Sequence, residues 1–305
     1  MNKKLFVVLL LVLGLVLTLT GCTGLSQADY DALMAEKEAL QTELEAEMAE
    51  KDALQDELDS KMVSYKDQSV EAYGYTHGGY VGKVTIVVTD GVVDVEINEA
   101  FLPHTLAAVT LSTLSAPTVW NETNTLTIGL SSFALYIMYN NVVYKALQTE
   151  AGLLVYNVVD ETGALKTGRF DIKNLEMNII RTDATMKAYY DALNAGEFKL
   201  LKSFGDTTPI VVSENQFKDG NSNYWQPSTG SLGWQANIDT IEAFLEANGA
   251  AFDTLAFATV LATLNGVEDN YWQIGDIVTG ATNADFQDYF QLAQTAFGQL
   301  ETEVK

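Results

Sequence analysis

The chain has one cysteine in 305 residues, Cys22. A single thiol leaves no internal disulfide, no Cys-x-x-Cys redox pair, no Cys-x-x-Cys-His haem attachment and no cysteine-held iron–sulfur cluster. Any redox chemistry must therefore come from a bound organic cofactor. Histidine is nearly as scarce: His77 and His104 are the only two. They show no ligand spacing, so no metal site is expected. Bases are few, 17 against 41 acids, for a formal net charge of −24. A surface this acidic argues against nucleic acid and against direct adsorption to an anionic bilayer. It suits a soluble body facing outward, or a partner with cationic patches. Apolar residues are not in short supply at 48%, and the length accommodates one large domain or two small ones.

Residues 1–21 read as a lipoprotein signal peptide. Lys3 and Lys4 form the charged region, Leu5 to Thr20 the apolar region, and Leu19-Thr20-Gly21-Cys22 a lipobox whose cysteine receives the lipid. The apolar stretch is short for a plain transmembrane span, and the chain's one thiol falls at the cleavage position. Cleavage there removes two lysines and no acid, taking the formal charge from −24 to −26. Residues 22–66 then read as a lipid-anchored helical stalk. Met34-Ala35-Glu36-Lys37-Glu38-Ala39-Leu40-Gln41 recurs as Met48-Ala49-Glu50-Lys51-Asp52-Ala53-Leu54-Gln55, two heptads later, which is a coiled-coil period. With Leu33, Leu40 and Leu54 at d, the a positions hold Tyr30, Leu44, Leu58 and Tyr65 but also Lys37 and Lys51. The seam is half apolar, so a long helix is expected while a paired coiled coil is left open. As helix, residues 30–65 would span ~54 Å at ~1.5 Å per residue.

The globular part starts near Val70 and runs to residue 305. Lys83 to Val88 and Val92 to Ile97 are two alternating strands with Asp90-Gly91 between them, a strong hairpin signal. In residues 100–235, Leu126 to Tyr144 carries apolar residues at helical spacing, and Leu153 to Val159 reads as a strand turning at Asp160 to Gly163. Arg169 to Ile180 reads as one or two strands, and Met186 to Leu193 as a helix closed at Asn194-Ala195-Gly196. Residues 219–235 look like loop. Asn237 to Asn248 is an amphipathic helix, with Ile238, Ile241, Phe244 and Leu245 on one face and Gly249 at its end. Ala256 to Leu264 is expected to form a second helix. Trp225, Trp234 and Trp272 lie in glycine-bearing approaches to the next segment, where an indole can cover a flat aromatic group.

That segment is Asp276-Ile277-Val278-Thr279-Gly280-Ala281-Thr282. Asp285 follows Thr282 by three residues, and Phe286, Phe290, Ala293 and Phe297 continue at helical spacing. This predicts a capped amphipathic helix with Thr282 as N-cap. A phosphate placed there would meet free backbone N–H groups and the positive end of the helix dipole. Gly280 and Ala281 offer little bulk to obstruct it.

The heptad also resembles the covalent flavin site of the FMN-binding domain family, Asp-x-x-Ser/Thr-Gly-Ala-Thr/Ser. It matches at Asp276, Thr279, Gly280 and Thr282, with Ala281 between them. Gly79 to Glu99 is similar to the opening of the same family, a Gly-x-Tyr-x-Gly followed by two strands around Asp-Gly. Relatives include flavin subunits of the sodium-pumping quinone reductase and of Rnf complexes. The resemblance implies FMN carried on Thr282 as a phosphoester, installed by a flavin transferase from FAD, with Asp276 assisting attachment or fixing the turn. Thr279, Gly280 and Ala281 would shape the bend and Trp272 lie beside the flavin. It implies a long insertion at residues 100–235, where Thr162-Gly163-Ala164-Leu165 imitates the motif without its final hydroxyl.

The expected fold is α+β, an N-terminal antiparallel hairpin packed with C-terminal helices, preceded by signal and stalk. The expected function is an extracytoplasmic electron carrier on the outer face of the cytoplasmic membrane rather than an enzyme with its own substrate. A redox donor in the membrane, quinone or dehydrogenase, would feed it, and electron acceptors, cationic or metal, would drain it. A solute-binding lipoprotein of a transporter and a surface adhesion protein are the alternatives; the heptad separates the first reading from both.

Overall fold

The structure, a computed structural model, describes residues 34–44, 46, 48, 49, 51, 65–76, 79–113, 120–168, 174–219, 224–228, 232–249, 256–264, 267–274, 277–283 and 286–302. The signal segment, Cys22, His77, Asp276, Asp285 and much of the expected stalk lie outside the described residues. The chain divides into two compact units, Met1–Val63 and Ser64–Lys305. In the first, residues 34–44 are helical and exposed, Leu40 and Leu44 included. Among the described residues no helix is long and apolar enough to cross a membrane.

The second unit is α+β, and its centre is a three-stranded antiparallel meander: β1 (Gln68–Thr76), β2 (Tyr80–Thr89) and β3 (Val92–Phe101). The β2–β3 turn is Asp90-Gly91, with φ of +52° and +76°, both left-handed as a type I′ turn requires. Alternation along the strands sends Ala72, Val84, Ile86, Val88, Val95 and Ile97 to one face and Tyr73, Val81 and Ala100 to the other. Each set belongs to a different apolar core.

The first core lies under two C-terminal helices, α4 (Gly233–Asn248) and α5 (Phe286–Phe297). Helix α4 packs on β3, and α5 on β1 and β2. Ile238, Ile241 and Leu245 from α4 meet Phe286, Phe290, Ala293 and Phe297 from α5, all 3% exposed or less, as the helical spacing predicts. The strand–helix packing expected from the sequence is therefore present, with β1 added in front of the hairpin. Between the two helices lies a small antiparallel sheet: β11 (Phe257–Leu264), β12 (Val267–Ile274) and β13 (Ile277–Val278). Ala256 to Leu264 is thus a strand and not a helix. Three β-branched residues in that run, Thr259, Val260 and Thr263, favour extended chain.

The second core is built from the intervening residues. After α1 (Pro103–Thr113) come β4 (Thr125–Ile128), β5 (Ser131–Ala134), β6 (Tyr136–Tyr139), β7 (Val142–Gln148) and β8 (Leu154–Val158). Helices α2 (Leu175–Ile179) and α3 (Asp183–Asn194) precede β9 (Phe198–Leu201) and β10 (Ile210–Val211). The five-stranded sheet runs β10-β9-β6-β7-β8, entirely antiparallel. Leu126 to Tyr144 is therefore four strands, not a helix. Its turns explain the misreading: Gly129-Leu130 and Asn140-Asn141, the latter with φ of +47° and +60°, break the alternation into a pattern that mimics helical spacing. Of Arg169 to Ile180, residues 169–173 lie outside the described ones, and the rest is the α2 turn, started by Asn174 accepting from Met177 N at 2.8 Å. The strand at Leu154–Val158, the turn at Asp160 to Gly163 and helix α3 match the sequence reading.

Candidate functional site

The motif segment is held as an irregular extended strand after β13. Thr279 N and Oγ1 both donate to Trp272 O at 2.9 Å, and Trp272 N donates to Ala281 O at 2.8 Å. Ala281 is fully buried in the first core. Gly280 has φ +89°, and a Cβ there would stand 3.0 Å from Thr240 Cγ2 of α4. The position needs glycine for its backbone conformation and for its closeness to the helix.

Helix α5 is described from Phe286, and residues 284 and 285 between it and Asn283 lie outside the described ones. Among the described residues, Thr282 is engaged by α4. Its N–H donates to Asn237 Oδ1 at 2.6 Å and its hydroxyl reaches the same oxygen at 3.3 Å. Asn237 is fully buried in α4 and its amide nitrogen donates to Gly233 O at 2.7 Å. The hydroxyl is half-buried, on a backbone fixed from both sides.

Trp272 supports the segment instead of standing free beside it. Its indole stacks on Phe286 at 5.1 Å and 4° between ring planes, and its Nε1–H donates to Asn283 O at 2.7 Å. Asn283 itself is 3% exposed, with neither side-chain polar atom hydrogen-bonded. Val278 and Thr279 line an open depression of about 480 Å³ whose far wall is α4, through Asp239, Thr240 and Phe244. Asp276 and Cys22 lie outside the described residues, so the structure brings together Trp272, Thr279, Gly280, Ala281 and Thr282 only.

Sequence reasoning missed Asn237. A signal was present: it sits on the α4 face that carries Ile241 and Phe244, four and seven residues on, and a polar residue on a core-facing stripe needs a partner. It also missed Glu242, one turn further. Burial raises the Glu242 carboxyl to about 7, reinforced by Asp239, Glu246 and Glu96 and opposed by the Ile97 N–H that donates to it at 2.6 Å. Among the described residues no three His, Cys, Asp or Glu side chains gather to hold a metal.

Compared with protein-family models, curated proteins and solved structures, the chain matches none. The likeness to the FMN-binding domain family rests on the heptad and on the opening hairpin.

Proposed function

We propose that this chain is a lipid-anchored, extracytoplasmic electron carrier with FMN attached through Thr282. The observation that supports it most is the motif's own geometry. The final threonine presents a half-exposed hydroxyl on a segment fixed by Trp272 and Asn237, and two residues of that segment line an open depression. Gly280, at φ +89°, sets the bend two residues before Thr282 and places no side chain there. These residues fit a phosphoester-linked flavin.

Attachment by a transferase forms a bond from Thr282 Oγ1 to the riboflavin-side phosphorus of FAD. The pyrophosphate bond breaks, AMP leaves, and the hydroxyl proton passes to the transferase or to water. Asn237 Oδ1 orients the hydroxyl before that step. The bound flavin supplies one- and two-electron redox chemistry, which the protein's own side chains lack. Thr279 and Ala281 hold the backbone to which it is tethered, and Cys22 carries the lipid.

The test is intact mass and peptide mapping of protein made with and without a co-expressed flavin transferase. One FMN-sized adduct on the Thr282 peptide is expected, absent in Thr282→Ala. An unmodified Thr282 beside an active transferase would overturn the reading.

A further inference from the structure

The chain leaves the meander at the end of β3 and comes back beside the point where it left. Phe101 N donates to Gln216 O at 3.0 Å and Lys218 N to Glu99 O at 2.9 Å, so the returning chain lies along the end of β3. The side chains at the two ends of this excursion meet inside. Lys218 Nζ is in direct contact with Glu99 Oε2. Glu99 is fully buried and Lys218 is 2% exposed. The Tyr80, Tyr224 and Trp234 rings stand round the nitrogen, with their centroids at 3.5, 4.6 and 5.8 Å. Two hydroxyls hold the carboxylate. Tyr289 OH donates to Oε2 at 2.8 Å, and Thr76 Oγ1 donates to Oε1. Tyr289 in turn accepts from Trp234 Nε1 at 3.4 Å.

We propose that Lys218 and Glu99 condense into an amide, a covalent cross-link that closes the excursion at its base. The ion pair is the state into which the chain folds, and the bond forms within it. The ammonium passes a proton to the carboxylate oxygen that it touches. The freed amine then attacks Glu99 Cδ, one bond from Oε2, while Thr76 donates to Oε1 as negative charge gathers there. Tyr289 gives its proton to the departing Oε2 and takes one back from the nitrogen. The Trp234 Nε1–H steadies the phenol oxygen between the two transfers. A bond from Nζ to Cδ forms and the bond from Cδ to Oε2 breaks. One water leaves with two of the ammonium hydrogens, and nothing is oxidised or reduced.

Three features favour the bond over a lasting ion pair. Groups held together by a fold react with effective molarities of ~10⁵–10⁸ M, far above the concentration of the water that would reverse the step. The amide takes two charges out of an interior where their desolvation is costly. The product also keeps its polar atoms paired, since Oε1 retains Thr76 as donor and the Tyr289 oxygen, released from Oε2, can accept from the new N–H. The elements from α1 to β10, which build most of the second core, all lie within the loop so closed. A chain with one cysteine cannot close it by a disulfide, and the amide would restrict the unfolded chain in the same way. The cross-link depends on neither the flavin nor the lipid.

The test is peptide mapping of the folded full-length protein, denatured, digested with trypsin and read by tandem mass spectrometry. The peptide containing Glu99 and the peptide containing Lys218 should emerge as one branched species, lighter than their sum by one water, with cleavage after Lys218 blocked. Lys218→Arg keeps the positive charge but offers no amine, and it should give the two peptides separately. Tyr289→Phe keeps the ring and loses the proton carrier. Its linked fraction should be low at harvest and rise on incubation, with a circular dichroism spectrum like the parent's. Separate peptides from the folded parent, with trypsin cutting after Lys218, overturn the proposal. A linked species that survives in Lys218→Arg overturns the assignment to this pair, and a parent-like linked fraction at harvest in Tyr289→Phe overturns the role given to Tyr289.

Discussion

At the scale of single residues, burial decides what each polar group is worth. Thr282 was expected to cap a helix and so to carry stability. With its hydroxyl at 3.3 Å from Asn237 Oδ1, a long hydrogen bond, Thr282→Ala should cost under ~1 kcal/mol. Asn237 is the larger contributor, because it is fully buried and its removal takes away the acceptor of the Thr282 N–H. Asn237→Ala should cost about 1–3 kcal/mol in urea denaturation and lower flavin loading by letting the segment drift; equal loading at equal folding would deny it the orienting role. Lys218 and Glu99 raise the stakes further. Lys218→Met leaves a carboxylate buried without its cation, and about 3–5 kcal/mol should be lost. Adding Glu99→Gln should recover most of that, since a neutral amide needs no counter-charge; denaturation midpoints of the two variants measure the difference.

At the scale of elements, the outer edge of β3 is closed from α4. Val95 N donates to Glu246 Oε1 at 3.2 Å and Ile97 N to Glu242 Oε1 at 2.6 Å, so two helical carboxylates cover N–H groups that would otherwise invite another strand. The arrangement carries a pH dependence. Glu242 sits at about 7, above its ordinary 4.5, chiefly through burial. The unfolded chain releases this proton first as pH rises, so stability is fullest below 4.5 and declines until the folded carboxyl has ionised near 7. The decline should be of order 1–2 kcal/mol after allowance for solvent screening. Glu242→Gln keeps an acceptor for Ile97 and should flatten the melting temperature between pH 4.5 and 7. Glu71, Asp160, Asp206 and Glu301 are held below their ordinary values, by a lysine or by local N–H and hydroxyl donors, and act in the opposite sense only at lower pH. The elements also show what the chain declares and conceals. The β2–β3 hairpin was legible because alternation and Asp90-Gly91 agree, and α4 and α5 because their apolar residues recur at helical spacing. The strands from Leu126 to Tyr144 were concealed because segments of four residues are too short to display a period, and Asn140-Asn141 was overlooked as a turn. In the site, the heptad could be read directly, whereas Asn237 lies 45 residues away in sequence and is joined to it only by the packing of α4.

At the scale of the whole molecule, one meander serves two cores, and the acidic surface encloses both. The motif segment is tied to the first core through Ala281 and Asn237, so the proposed flavin rides on that core. The formal charge of −24, or −26 after cleavage at Cys22, then governs which acceptors reach it. A cationic acceptor is steered inward and an anionic one repelled, and both effects shrink as the Debye length falls from ~10 Å at 0.1 M salt to ~3 Å at 1 M. Asp239 in the wall of the depression adds a local negative charge to the global one. Reduced flavoprotein should therefore be oxidised faster by a cationic acceptor than by an anionic one of similar size and potential, with the two rates converging at high salt. Stopped-flow oxidation with such a matched pair measures this. Asp239→Asn should narrow the gap at low salt without altering the rate at high salt. Equal rates at low salt would remove electrostatic steering from the account, and salt-insensitive, saturable turnover of one metabolite would replace the carrier with an enzyme.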